Sequence, residues 1–190
     1  SALMNSGMNS IHESASISDS NGNLLFYTNG NLVYNRLHAS MQNGFMLNGC
    51  LGCVQSVFAL QKPGEDSVYY IFTGKYISQL FPPSISLGLY YSLVDLRLAN
   101  GLGGVVTGMK NIPVPGGELV THRIHATRHH NNRDTWIVTI DTLGNYLSFL
   151  VTASGIASPV VSLRMFSNFI PSMNAGDLRT SQDGKKIVLV

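Results

Sequence analysis

Charge is scarce in this chain: only 12% of its 190 residues are Asp, Glu, Lys or Arg, and 12 basic residues against 10 acidic ones leave a net charge of +2. So weak and balanced a field does not hold a nucleic-acid backbone, and no nucleic-acid partner is expected. Long hydrophobic runs are also missing: no segment approaches about 18 uninterrupted apolar residues, so no transmembrane segment is expected. No basic stretch followed by an apolar run appears near Ser1, and the chain is expected to be a mature or trimmed soluble one. Carboxylates are few, with Glu13, Glu65 and Glu118 beside seven Asp residues that sit mostly in turn-like contexts. A glycosidase-type pair such as Glu118 with Asp141 is not specified by sequence, because carboxylate separation is a three-dimensional quantity. No G-x-S-x-G elbow occurs either. No catalytic residue is therefore assigned and no cofactor is expected.

What the chain has instead is a grammar of short strands and tight turns. Ser16 to Asn35 (SISDSNGNLLFYTNGNLVYN) places Asn-Gly at 21–22 and again at 29–30, the pair that supplies positive φ to hairpin turns, between apolar or alternating segments. The pattern returns in Phe58 to Gly74, His125 to Asp141 and Leu178 to Val190, each with an entering strand, a polar turn and an apolar return. The turns centre near Gly22, Gly64, Asn132 and Gly184, so the units recur at roughly 40 to 70 residues, the scale of a four-stranded propeller blade with variable loops. In the return strands both faces are apolar: Leu24 and Phe26 oppose Leu25 and Tyr27, and Tyr70 and Phe72 oppose Tyr69 and Ile71. A strand buried on both faces needs a sheet stacked between two others.

The expected fold is therefore all-β, a partial β-propeller of WD-repeat-like antiparallel blades, about three to four of them. The alternative is a β-sandwich, which would show cleaner one-sided alternation. Residues 1–190 read as a single all-β domain and as a fragment of a larger propeller, since six or seven blades need roughly 250 to 350 residues. The apolar strand Lys185 to Val190 is expected to present an open edge that invites self-association or completion by another chain. Leu89 to Leu98 reads as a strand ended by Asn100-Gly101, while Ser78 to Leu87, around Pro82-Pro83, and Val114 to Gly117 read as loops.

Three clusters invite chemistry. The run THRIHATRHHNN holds four His residues within nine positions, and strand alternation puts His122 and His130 on one face and His125 and His129 on the other. Two ligands per face do not close a tetrahedral site, so no metal is assigned, with His122, His125 and His130 as the weak candidates. The structural reading is a turn network of Arg128, His129, Asp134 and Trp136, with the His129 imidazole bonded to the turn carboxylate and packed on the indole. Cys50 and Cys53 in GCLGC lack the further ligands of a zinc site, and they are either inert or closed into a short disulfide loop. Asp19, Asn21 and Asn23 imitate the start of a calcium loop, but Leu24 and Gly30 stand where an EF-hand needs Gly and Glu, and turn chemistry accounts for the run.

In order along the chain, SISDSNGNLLFYTNG, QSVFALQKPGEDSVYYIFT, GLYYSLVDLRLANGLGGVV, TRHHNNRDTWIVT, LVTASGIASPVV and SQDGKKIVL carry a family resemblance. Together with Arg128-His129, Asn131, Arg133-Asp134 and Trp136, they resemble the propeller-like N-terminal regions of large bacterial surface proteins. Those proteins carry a gliding-motility-type C-terminal sorting domain and leave the cell by type IX secretion. The last segment resembles the Ser-Pro-Asp-Gly-Lys turn of periplasmic propellers, with Gln182 in the proline's place. The aromatic strand that usually opens the domain and the sorting domain itself are both absent from residues 1–190, which fits the expectation of a fragment. The resemblance implies a secreted or cell-surface protein. On these residues the expected function is a non-catalytic recognition or adhesion module for a surface protein or glycan, with Tyr76 and Phe81, beside Pro82-Pro83, as contact residues. The alternatives are a propeller-type hydrolase or lyase acting on polysaccharide and a purely structural spacer domain.

Overall fold

The computed structural model describes residues 6–10, 13–50, 53–80, 83–163, 177–181, 184 and 186–189, with the side chains of 76–80, 83–87 and 189 outside that description. The fold is all-β, and among the described residues it is built as four antiparallel sheets, none of them closed. The first sheet contains β1 (Ala15–Ser18), β2 (Leu24–Thr28) and β3 (Val33–Asn35). The second contains β4 (Val57–Gln61), β5 (Val68–Leu80) and β6 (Pro83–Asp95), with the short β7 (Gly104–Val105) and β8 (Ile112–Pro113) both paired to β6. The third runs β9 (Val120–Arg128), β10 (Thr135–Asp141) and β11 (Tyr146–Thr152), with β12 (Gly155–Ile156) and β13 (Val160–Ser162) both on β11. The hairpin of β14 (Leu178–Thr180) and β15 (Ile187–Leu189) is the fourth.

Main-chain pairing is thus mostly local in sequence, because a tight polar turn returns each strand onto its predecessor. Two of these turns are chemically the same device. In DSNGN, Asp19 Oδ1 accepts the Asn21 and Asn23 amides at 2.9 and 2.8 Å, and Oδ2 accepts Asn23 Nδ2 at 2.9 Å. In DTLGN, Asp141 repeats the pattern with Leu143 N, Asn145 N and Asn145 Nδ2, each at 2.8 Å. A carboxylate that bonds the backbone two and four residues ahead fixes the turn, and the glycine between supplies the left-handed conformation.

The sheets are held to one another by side chains. Phe26, Val33 and Met41 of the first unit pack with Val57, Tyr69, Ile71 and Val94 of the second. Tyr70, Phe72 and Leu89 from the second pack with Ile124, Ile137 and Phe149 of the third. Val138 and Ile140 of the third close on Leu178 of the fourth. The alternation within β5 therefore feeds two cores, Tyr69 and Ile71 into one and Tyr70 and Phe72 into the other, as the two-faced sequence pattern requires. Where the second and third sheets cross, the backbones touch: a Cβ on Gly74 would lie 2.9 Å from both Cα and O of His122.

One sequence expectation needs correction. Of the segment expected as a loop from Ser78 to Leu87, residues 78–80 and 83–87 belong to two 13-residue strands, paired from Val68↔Asp95 to Leu80↔Pro83. Pro83 opens β6, a position that tolerates a residue without an amide hydrogen, so this proline heads a strand. The strand expected over Leu89 to Leu98 forms through Asp95, and the chain then turns at Leu98–Gly101.

Candidate functional site

Two adjacent residues, Gln55 and Ser56, tie all four sheets together just ahead of β4. Gln55 holds a left-handed backbone (φ 52°), which aims its carbonyl at the third sheet, where it accepts the Ile124 amide at 2.8 Å. Its side-chain amide clasps the fourth: Nε2 donates to Leu178 O at 3.1 Å and Oε1 accepts Leu178 N at 2.6 Å. Ser56, fully buried, accepts the Gly74 amide of β5 at 2.8 Å and donates its hydroxyl to Cys50 O at 3.3 Å. Its own amide donates to the Glu13 carboxylate, on the segment leading into β1. Cys50 and Cys53 are joined as a disulfide directly upstream.

Around this junction lie Glu13, Asp177, Arg179, Arg123, His122 and His125. Burial pushes the Glu13 carboxyl up from its ordinary 4.5 to about 7 and the Asp177 charge adds to this, while bonds from the Ser56 and Val57 amides pull the other way. Burial, helped by Arg123, pushes His122 down to about 4. His125 is lowered by burial and by Arg179, against an opposing pull from Asp177, and its Nε2 sits 3.0 Å from Thr180 Oγ1. A carboxyl whose folded pKa is raised holds a proton that the unfolded chain has released. Its stabilisation is complete below about 4.5 and is lost as the pH rises through about 7. His122 acts in the opposite sense below its ordinary 6.5. The Glu13 contribution is therefore measured as the difference between wild type and Glu13→Gln. Thermal melts between pH 5 and pH 8 should show wild type losing stability relative to the variant as pH rises, and parallel pH profiles would disprove the assignment.

The residues singled out from sequence fall in different places. Asn131 holds the turn at 129–134: its Nδ2 donates to Asp134 Oδ2 at 2.7 Å, and its Oδ1 accepts the Arg133 and Asp134 amides at 3.0 and 2.9 Å. Arg133 lies 3.4 Å from the same carboxylate. The His129 ring accepts the Asn131 amide at 3.2 Å and lies 5.8 Å from the Trp136 ring, so its hydrogen-bond partner is a backbone amide and not the expected carboxylate. The Asx turn reaches Asp134 first. Arg128 is exposed at the end of β9 and lines a groove. Among the described residues no group of three or more His, Cys, Asp or Glu is arranged to hold a metal: His122 is buried on β9, His125 meets Thr180, and His130 is exposed on the turn. Tyr76 pairs with Leu87 in the β5–β6 hairpin, its side chain outside the described set, and Phe81 lies outside the described residues. The proposed pair Glu118 and Asp141 is in use elsewhere, since Glu118 accepts the Gly116 amide at 3.1 Å and Asp141 fastens its turn.

An extended hairpin and two grooves are also present among the described residues. The β5–β6 hairpin runs beyond Thr73, the last β5 residue that β4 pairs, as a two-stranded arm in which Lys75 to Leu80 pair with Pro83 to Gly88. At the opposite end of β5, a groove of about 500 Å³ separates the turn at Pro63–Asp66 from the turn that carries Asn132 and Arg133. A second groove, about 730 Å³, lies on the first sheet beside Ser16, Tyr27 and His38. Sequence reasoning missed the Gln55-Ser56 junction, whose only local signal is a polar pair set between Cys53 and an apolar strand. Compared with protein-family models, with curated proteins and with solved structures, the chain matches none.

Proposed function

We propose that this chain is a non-catalytic recognition module of an exported bacterial surface protein, built from consecutive blades of a β-propeller. The propeller reading is supported by the way the units meet: the first strand of each sheet contacts the first strand of the next, β1 with β4, β4 with β9 and β9 with β14. Sheets joined in sequence order through their first strands, with β5 and β6 also packing on β9, are related as successive blades of a propeller are.

The observation that carries recognition over chemistry is the use of the carboxylates. Asp19, Asp95 and Asp134 are all held below the usual carboxylate range by bonds that already occupy their oxygens, and Asp141 is fastened in the same manner as Asp19. Acids fixed as turn staples do not shuttle protons. The β5–β6 arm, which carries Tyr76 and extends past the part of β5 that β4 pairs, is the contact surface for a protein or glycan on a neighbouring surface. A hydrolase acting on polysaccharide has one observation in its favour, the raised Glu13 carboxyl near Asp177.

One experiment separates the two readings. The purified chain is screened against cell-envelope polysaccharides and surface-protein fractions beside a variant whose arm, residues 76–87, is replaced by Asn-Gly. The expected result is binding without product release, weakened at least tenfold in the arm variant while its melting temperature is kept. Product release abolished by Glu13→Gln would overturn the module in favour of the hydrolase.

A further inference from the structure

The groove at the far end of β5 is separate from the arm and chemically unlike it. Its walls come from two units: Gln61, Lys62, Glu65 and Asp66 from the second sheet's first turn, Arg128, Asn132 and Arg133 from the third's. The interface between those sheets is filled by Tyr70, Phe72, Ile124 and Ile137, so the spacing of the walls is set by a packed core and not by loop conformation. In a chain where 12% of residues are charged, five charged side chains face this one groove.

Their pairing leaves a particular remainder. Lys62 lies 3.4 Å from Glu65, and Arg133 lies 3.4 Å from Asp134, so these cations are matched by carboxylates on their own turns. Among the described residues Arg128 forms no ion pair, and it stands exposed across the groove from Asp66. A guanidinium presents a planar fork of donors that fits a carboxylate two bonds at a time. One unmatched fork, with Asp66 on the opposite wall and Glu65 already matched by Lys62, suits a ligand that offers one carboxylate beside hydroxyl groups. The other groups are planar amides and a carboxylate, donors and acceptors for hydroxyl groups.

We infer that this groove binds a carboxylated saccharide, a uronic-acid residue of an acidic polysaccharide, with Arg128 holding the carboxylate and Asn132 and Asp66 taking ring hydroxyls. The inference rests on the recognition reading but uses a surface at the opposite end of β5 from the arm. The probe is polygalacturonate, with dextran as the neutral control, measured by isothermal titration against wild type, Arg128→Ala, Arg128→Lys and the arm variant. Wild type should bind polygalacturonate and not dextran. Arg128→Ala should weaken that affinity at least tenfold with an unchanged melting temperature, Arg128→Lys should fall between, and the arm variant should bind as wild type does. An affinity unaffected by Arg128→Ala, or no binding of polygalacturonate by a wild-type chain that still binds an arm ligand, would overturn this site and leave the module standing. Binding of polygalacturonate that survives arm removal while no arm ligand is found would keep this site and remove the arm as the contact surface.

Discussion

Replacing Phe72 by alanine should destabilise the chain by about 3 to 5 kcal/mol, and replacing its neighbour Ile71 should cost about 2 to 5 kcal/mol, although the two side chains point to opposite faces of β5. Both are fully buried. Phe72 lies in the core between the second and third sheets, where its ring centroid is 5.5 Å from that of Tyr70 and 6.4 Å from that of Tyr91. Ile71 lies in the core between the first and second. Each truncation leaves a cavity in a close-packed interface that the surrounding strands cannot collapse to fill. A sheet with one wet face would tolerate one of these substitutions, so the pair tests the stacking itself. Chemical denaturation of both variants provides the measurement, and a near-neutral result for either would mean that one face of β5 meets solvent.

The second large effect is expected at Gln55. Gln55→Ala removes the amide that clasps Leu178 through two hydrogen bonds, leaving a buried N–H and C=O without their partner at about 1 to 3 kcal/mol each. Among the described residues the fourth sheet is attached by Leu178 packing on Val138 and Ile140, by the contact of Thr180 with His125 and by this clasp. Hydrogen exchange should therefore rise first in β14 and β15 of the variant, before the second and third sheets respond. Gln55→Glu would keep the acceptor for Leu178 N, lose the donor for Leu178 O and bring a further negative charge toward Glu13 and Asp177. Its deficit should accordingly grow with pH. Uniform exchange across all sheets in Gln55→Ala would show that the fourth unit is held by something else.

The sequence made the local elements plain and left the long-range ones hidden, for physical reasons visible at particular residues. Asn-Gly at 21–22 with Asp19 ahead of it has little choice but to turn, because the carboxylate, the glycine and the flanking apolar strands favour the same hairpin. The strand from Val68 onward advertises its two cores through aromatic residues at consecutive positions. Pro82-Pro83 misled, since the same dipeptide ends a loop or heads a strand, and only cross-strand pairing such as Ile77↔Ser86 and Leu80↔Pro83 decides between them. At His129 the residue types were read correctly and the bonding was not: three acceptor-bearing side chains crowd one turn, and the order of Asn131 and Asp134 along the backbone sets who bonds whom. The junction at Gln55-Ser56 is the hardest case. Its partners lie 43 residues before it and 123 residues after it, and no periodicity or motif carries information over that distance.

That span has a kinetic meaning. Each hairpin pairs strands adjacent in the chain and forms as soon as both are available, whereas the clasp on Leu178 closes a loop of 123 residues. Long loops cost more entropy to close and lock late, after the local sheets exist to hold their ends near one another. A chain emerging from the ribosome would thus carry three nearly finished sheets whose common fastener still lacks its last strand. During that interval the Gln55 side-chain amide, which faces the fourth unit, is open to any other backbone that fits, which makes premature docking between neighbouring chains the characteristic hazard of this design.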